Sequence, residues 1–287
     1  MTAAMNALIT PDDLAATLGA PDLVLLDIRS AVDGGGRAAY EAAHVPGAIH
    51  TDYVAGGWRA RGPGGGAGML PDETALAALF SGLGITPTSR VVVLPAGTSA
   101  GDLSAAARVY WTLKVAGHEA ISLLDGGTAA WTAAGHPVAR EVAEPRPAPP
   151  YPVRLRADLR ATLPEVARAV ADGSTLLLDT RNAASFAGEE KSGVAARAGR
   201  LPGALHQEGA RAYDPAAGRL RSRGELEALF ALPEGEAIAY CNTGQQAATN
   251  WFVLSEILGR PNTRLYDGSM SEWSADPARP VETGPKD

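Results

Sequence analysis

The stretch Ala237-Ile-Ala-Tyr-Cys-Asn-Thr-Gly-Gln-Gln-Ala247 contains the only cysteine of the chain, Cys241. Its first four residues predict a short buried strand, and apolar residues recur at helical spacing over residues 247–258. Small and amide-bearing residues lie between them. A loop in this place presents its backbone N–H groups at a helix N-terminus, where negative charge is favoured. We therefore expect Cys241 to be a nucleophilic thiolate surrounded by amides.

The alternative is an inert cysteine, because a lone cysteine is more often a small buried apolar residue. Two features favour the nucleophile. Cys241 directly follows the predicted strand, whereas a cysteine inside that strand would be hidden. Residues 242–246 also carry no apolar side chain that could pack over the sulfur. The sequence thus predicts an accessible sulfur in a polar loop.

Composition sets limits on the class of protein. With 287 residues, of which 46% are hydrophobic and 20% charged, the chain can form two globular domains. A net charge of −7 argues against nucleic-acid binding, which needs a basic surface. One cysteine excludes an internal disulfide, and the five histidines lack the spacing of zinc ligands.

Targeting signals are also absent from the sequence pattern. The first eleven residues have neither the basic region nor the apolar region of a secretory signal. The longest uncharged run contains Asn242 and Asn250, which argues against a membrane span. We expect a cytoplasmic protein that does not bind membranes.

The order of motifs in the first half returns in the second. Asp27-Ile-Arg29 corresponds to Asp179-Thr-Arg181, and Pro-Gly-Ala occurs at 46–48 and again at 202–204. An Asp-Gly pair precedes Trp131 in the first half and Trp273 in the second. This indicates one unit of roughly 140–150 residues used twice. Alternating strands and helices within each copy predict an α/β fold with a mostly parallel sheet covered by helices on both faces.

The repeat predicts three segments: a first domain over residues 1–140, a proline-rich linker over 141–157 and a second domain over 158–287. In the first domain Pro95 occupies the position of Cys241, and no other nucleophile is evident there. The first domain is therefore expected to be catalytically silent. Residues 58–71 are rich in glycine and predict a flexible loop, without the Gly-Lys-Ser/Thr ending of a phosphate-binding loop.

Taken together, these motifs resemble the tandem-domain rhodanese family of sulfurtransferases over nearly the whole chain. Residues 241–247 are similar to the active loop of that family, Cys-x-x-Gly-x-x followed by Ala. The resemblance implies two tandem rhodanese-like domains, the second catalytic. It also implies ping-pong transfer, in which Cys241 takes a sulfur from a small-molecule donor, becomes a persulfide and passes the sulfur to cyanide or a thiol. This chemistry implies no metal or organic cofactor.

The resemblance further implies which residues form the site. Backbone amides of the loop would bind the thiolate, the persulfide and the charged end of the donor. The residues concerned are Asn242, Thr243, Gly244, Gln245, Gln246 and Ala247. Asp179 and Arg181 are expected to form a structural ion pair that supports this loop. Ser185 occupies a position where an arginine is common in the family.

Donor choice is the point at which the chain departs from the family's patterns. Enzymes that use thiosulfate often have basic residues after the cysteine, whereas Asn242 and Thr243 are neutral. Enzymes that use 3-mercaptopyruvate draw an Asp and a His from the silent domain, and here Asp52 and Gly68 stand near those places. The incomplete second pattern favours thiosulfate, with 3-mercaptopyruvate as the alternative.

Two further functional classes share the resemblance. A cysteine phosphatase or arsenate reductase would need a longer loop ending in an arginine, but position 247 is Ala. A persulfide carrier or binding module without turnover would need only Cys241, and nothing in the sequence argues against it. The oligomeric state has no signature in the sequence.

Overall fold

The computed structural model describes residues 6–33, 35–62 and 64–284. They form two compact units. The first contains the described residues of Met1–Trp58, Pro71–Arg156 and Tyr213–Leu220, and the second those of Arg59–Leu70, Ala157–Ala212 and Arg221–Asp287. Residues 1–5, part of the region without a predicted secretory signal, lie outside the described residues. The last three residues of the predicted second domain do so as well.

The first unit is built around a parallel sheet with the strand order β1-β5-β4-β2-β3. Its strands are β1 (Leu8–Ile9), β2 (Leu23–Asp27), β3 (Ile49–His50), β4 (Arg90–Leu94) and β5 (Ile121–Leu124). Its helices are α1 (Pro11–Ala15), α2 (Gly36–Ala42), α3 (Glu73–Gly82), α4 (Ala100–Val115) and α5 (Gly127–Ala133). A short antiparallel pair, β8 (Tyr213–Asp214) and β9 (Arg219–Leu220), also belongs to this unit.

The second unit has a parallel sheet with the order β11-β10-β6-β7. Its strands are β6 (Leu176–Asp179), β7 (Leu205–His206), β10 (Ala237–Tyr240) and β11 (Thr263–Leu265). Its helices are α6 (Leu163–Asp172), α7 (Ala183–Ala187), α8 (Arg223–Leu229), α9 (Gln245–Trp251) and α10 (Ser269–Trp273). A π-helical segment, Phe252–Ile257, continues α9. The predicted α/β class with two tandem domains is confirmed.

Local sequence signals explain where the helices begin. Thr10 accepts a hydrogen bond from the Asp13 amide, with Pro11 at the first helical position of α1. Asp72 caps α3 through the Ala75 amide. Capping boxes begin α4, α6 and α8. These caps fix where the helices begin.

Each unit has its own apolar core. Leu25, Val92 and Trp131 are buried together in the first unit. In the second, Ile238 of β10 packs in one cluster with Tyr240 and Trp273. Burial of β10 on both sides by apolar residues holds the strand that leads to Cys241 in a rigid place.

Candidate active site

Cys241 lies at the carboxyl end of β10, an inner strand between β6 and β11. The chain turns at Gly244, whose φ of +77° is in the left-handed region that glycine adopts readily, and α9 begins at Gln245. The Gly244 N–H donates a hydrogen bond to Cys241 Sγ over 3.1 Å. The predicted strand, loop and helix are therefore present, and an amide of the loop contacts the sulfur.

The first turn of α10 holds the backbone of this loop from the other side. The Met270 N–H donates to the Cys241 carbonyl at 3.1 Å, and the Ser271 N–H donates to the Asn242 carbonyl at 3.0 Å. The Cys241 N–H donates to Ser269 Oγ at 3.0 Å. The sequence did not predict a role for Ser269, although its replacement of Gly127 in the repeated Asp-Gly-x motif was a visible signal.

Cys241 itself is only 1% exposed, so the expectation of an accessible sulfur is wrong. Segments distant in sequence pack on this loop, which the loop sequence itself does not encode. Ala67 donates its N–H to Ser271 Oγ at 3.0 Å, and a β-carbon added to Gly68 would lie 2.9 Å from the Thr243 carbonyl oxygen. Residues 64–70, which we call the glycine segment, therefore pack directly on the loop.

The six loop residues differ in exposure. Gly244 and Ala247 are buried, Gln246 is exposed, and Asn242, Thr243 and Gln245 are half-buried. Within the described part of the chain, Asn242 Oδ1 is buried without a hydrogen-bond partner. The loop carries no formal charge, so any anion bound here would be held by amides.

Asp179 and Arg181 form the expected ion pair, with Arg181 Nη2 2.6 Å from Asp179 Oδ2. The Tyr240 hydroxyl donates to Asp179 Oδ2 at 2.8 Å and accepts the Leu201 N–H, while Arg181 also donates to the Gly199 carbonyl. Burial acts to lower the pKa of Arg181, but the hydrogen bond and charge of Asp179 outweigh it and the net shift is upward. This buried network joins the ends of β6 and β10.

Ser185 lies in α7, and the charged group that its side chain contacts is a carboxylate and not a cation. Its N–H donates to the capping oxygen of Asn182, and its hydroxyl donates to Glu190 Oε1 at 2.9 Å. Asn182 Nδ2 donates to the same carboxylate oxygen. These two side-chain hydrogen bonds lower the pKa of Glu190. The position where the family often has an arginine is thus occupied by a hydroxyl paired with a carboxylate.

In the first unit, the loop that corresponds to the Cys241 loop is occupied by the side chain of Asp102 from the helix that follows it. Pro95 follows β4, and the Asp102 carboxylate accepts hydrogen bonds from the amides of Thr98 (2.7 Å) and Ser99 (3.1 Å). Both hydroxyls of Thr98 and Ser99 donate to it as well. An internal carboxylate therefore takes the amides that could otherwise receive an anion, in a loop that also lacks a thiol.

The described residues form neither a metal-site cluster nor a membrane-spanning helix. Over the described residues, no group of three or more His, Cys, Asp or Glu side chains has the arrangement of a metal site. Within the same ranges, none of the helices has the length and apolarity needed to span a bilayer.

Comparison with known proteins matches the rhodanese-like domain family to residues 10–134 and 162–276. The chain is 36% identical to a thiosulfate sulfurtransferase of Pseudomonas aeruginosa over 283 residues, which covers 96% of each protein. It is 32% identical to a thiosulfate sulfurtransferase of Azotobacter vinelandii, with 98% of each covered. A probable 3-mercaptopyruvate sulfurtransferase of Pseudomonas aeruginosa is 35% identical and covers 96% of this chain and 98% of its own.

Among solved structures, an anaerobic ergothioneine biosynthesis enzyme from Chlorobium limicola superposes with a TM-score of 0.83 at 24% identity. The match covers 98% of this chain and 71% of that enzyme, and at this identity it supports the fold alone. The two family matches and the full-length relatives agree with the duplicated fold. The chain belongs to the rhodanese family and carries two rhodanese-like domains.

Proposed function

We propose that this protein is a thiosulfate sulfurtransferase that moves a sulfane sulfur to cyanide or a thiol through a persulfide on Cys241. The observation that carries the proposal is the hydrogen bond from the Gly244 amide to Cys241 Sγ in a loop between β10 and α9. An amide in this position favours the thiolate form of the nucleophile and the anionic outer sulfur of a persulfide. The thiosulfate sulfurtransferases among its relatives support this choice of donor.

The reaction has two displacement steps. The Cys241 thiolate attacks the outer sulfur of thiosulfate, a new S–S bond forms, and the old S–S bond breaks with its electron pair leaving on sulfite. Cyanide then attacks the outer sulfur of the persulfide and forms a C–S bond. The electron pair of the persulfide bond returns to Cys241 Sγ, so thiocyanate leaves and the thiolate is regenerated.

Loop residues 242–247 bind the donor's charged end through their amides, because the loop side chains are neutral. Asp179 and Arg181 act as supporting residues that fix the end of β6 beside Cys241. Ser185 supports the site indirectly, by tying α7 to Glu190. No metal or organic cofactor takes part in either displacement.

The two halves divide the work in this proposal. Residues 1–140 form a silent domain, residues 141–157 a linker and residues 158–287 the catalytic domain. The partners are a small-molecule sulfur donor and a thiophilic acceptor, not nucleic acid or membrane, and the protein acts in the cytoplasm. The second candidate donor is 3-mercaptopyruvate, which the probable 3-mercaptopyruvate sulfurtransferase at 35% identity favours.

Steady-state turnover with each donor tests the proposal. Thiocyanate formation is measured with thiosulfate and, separately, with 3-mercaptopyruvate, each in the presence of cyanide. We expect faster turnover with thiosulfate and none in Cys241→Ser, whose folding is checked by circular dichroism. Faster turnover with 3-mercaptopyruvate would identify that compound as the donor in place of thiosulfate. The absence of turnover with both donors would favour a persulfide carrier.

A further inference from the structure

Ser269 has an unusual backbone conformation directly beside the nucleophile. Its φ is +49°, and among the described residues it is the one residue other than glycine with a positive φ. Its side chain is fully buried. Ser269 Oγ accepts the Cys241 N–H at 3.0 Å and donates to the Tyr266 carbonyl at 2.8 Å. A strained residue of this kind persists only where the surrounding contacts fix it, which is common at functional sites.

The repeat within the chain offers a direct comparison for this residue. In both units the two residues after the Asp-Gly-x motif donate their amides to the loop that follows the inner strand. These bonds are Thr128 N to Pro95 O at 2.9 Å, Ala129 N to Ala96 O at 3.0 Å, Met270 N to Cys241 O at 3.1 Å and Ser271 N to Asn242 O at 3.0 Å. Ser269 therefore corresponds to Gly127, and Cys241 corresponds to Pro95.

The two turns differ because Cys241 has a backbone N–H that needs a partner and Pro95 has none. Pro95 has no backbone N–H, and at the corresponding turn stands Gly127, where a β-carbon would overlap the Pro95 carbonyl oxygen. Cys241 has an N–H that would be buried without a partner, and here a serine hydroxyl accepts it. Of the bonds between these turns, the one from Cys241 N–H to Ser269 Oγ has no counterpart in the silent unit. A merely structural turn would not need the strained serine.

We propose that Ser269 is a positioning residue that fixes the backbone of Cys241 so that Sγ remains directed at the loop amides. The inference rests on the proposed function of Cys241 as the nucleophile. Ser269 acts through the main-chain N–H of Cys241. It therefore sets the rate of attack by Cys241 and not the affinity for the donor. The anchored hydroxyl resists rotation because it also donates to Tyr266.

The test compares Ser269→Ala and Ser269→Gly with a matched control, Ser274→Ala. Ser274 is also buried, and its hydroxyl donates to the Met270 carbonyl and accepts the Ala196 N–H. Ser269→Gly keeps the turn free of strain, since glycine adopts a positive φ readily. For each protein, two rates are measured: sulfur loading from thiosulfate over a range of concentrations, and alkylation of Cys241 by iodoacetamide at a fixed pH.

We expect both Ser269 variants to load sulfur about tenfold or more slowly at saturating thiosulfate, with the half-saturating concentration unchanged. Their Cys241 should be alkylated more slowly at fixed pH, because the Gly244 amide no longer holds its place against the sulfur. Ser274→Ala should match the wild type in both measurements. If Ser269→Gly loads sulfur and is alkylated at the same rates as the wild type, the inference is overturned. If the wild type itself takes up no sulfur, the proposed function fails, and the alkylation rates at fixed pH still decide the role of Ser269.

Discussion

The Tyr240 hydroxyl joins the last residue of β10 to the ion pair beside it. It donates to Asp179 and accepts the Leu201 N–H, and the side chain is fully buried. Replacing Tyr240 with Phe leaves a buried carboxylate and a buried N–H each short of a partner. We expect Tyr240→Phe to lower the free energy of unfolding by about 1–3 kcal/mol, measured by urea denaturation.

Tyr40→Phe provides the control for this change. Tyr40 is also fully buried, and its hydroxyl donates to the Ala48 carbonyl and accepts the Ala143 N–H in the first unit. A similar loss of stability is expected, but only Tyr240→Phe should slow sulfur loading, because only Tyr240 adjoins Cys241. Equal loading rates in the two variants would show that the Asp179 network does not support the site.

At the scale of single residues, the sequence predicts Cys241 as the nucleophile but does not predict its surroundings. Cys241 stands out because its context is local: a strand before it, a polar loop after it and a repeat that lacks it. The burial of Cys241 and its contact with Ser269 could not be predicted from this local context, since Ser269 lies 28 positions further along the chain. The carboxylate that accepts the Ser185 hydroxyl, that of Glu190, was likewise not predicted.

Among the elements, the glycine segment is the one whose role the sequence described least well. Residues 58–71 were expected to form a flexible loop, yet Ala60 and Met69 pair in an antiparallel bridge and Leu70 donates its N–H to Asp267 at 2.6 Å. Glycine here serves close packing, as the short distance between Gly68 and Thr243 shows. Glycine-rich composition alone does not distinguish flexibility from close approach.

Gly68→Ala tests this packing. The added β-carbon would lie 2.9 Å from the Thr243 carbonyl oxygen and 3.0 Å from Thr243 Cβ, so the segment must shift. We expect a loss of about 1–3 kcal/mol in the free energy of unfolding and faster alkylation of Cys241 at fixed pH, because the displaced segment covers the loop less.

Gly82→Ala is the matched control, since a β-carbon at Gly82, the last residue of α3, would meet no atom within 4 Å. It should leave alkylation unchanged and keep or slightly raise stability. Unchanged alkylation in Gly68→Ala as well would contradict the covering role of the segment.

Strands and helices were otherwise predictable, since apolar runs and helix caps are local signals. Helix α9, which follows the Cys241 loop, shows what such local signals do not predict. Apolar spacing predicted a continuous helix over residues 247–258, but the hydrogen bonding changes to a π-helix at Phe252–Ile257. No glycine or proline marks that change, because a π-helical segment depends on how the side chains pack and not on local propensity.

At the scale of the whole molecule, the duplication was visible in the sequence, because the same motifs recur in the same order. The division into compact units was not. Arg59–Leu70 belongs to the second unit and Tyr213–Leu220 to the first, although each lies in the other half of the sequence. Such an exchange depends on contacts between distant segments, and the predicted contiguous domains did not include it.

The pH dependence of stability should reflect His118 in the first unit. His118 is buried, its Nδ1 lies 3.0 Å from the Tyr151 hydroxyl, and burial lowers the pKa of the imidazole. The unfolded chain then binds a proton at a higher pH than the folded protein. Stability is therefore complete above the ordinary pKa of about 6.5 and falls as the pH decreases below it, by at most about 1.4 kcal/mol per pH unit.

His118→Gln removes the titrating group and keeps a polar partner for Tyr151. Urea denaturation between about pH 7.5 and pH 5, which spans the imidazole range, should show a shallower decrease in stability in the variant than in the wild type. Parallel curves for the two proteins would show that His118 does not titrate differently on folding.

The most direct test of the central claim is intact mass spectrometry of the protein after incubation with thiosulfate. The account predicts that the wild type gains one sulfur atom, that cyanide removes it, and that Cys241→Ser gains none while remaining folded. A wild type that gains no sulfur, or a Cys241→Ser variant that gains one, would contradict the assignment of Cys241 as the residue that carries the sulfur.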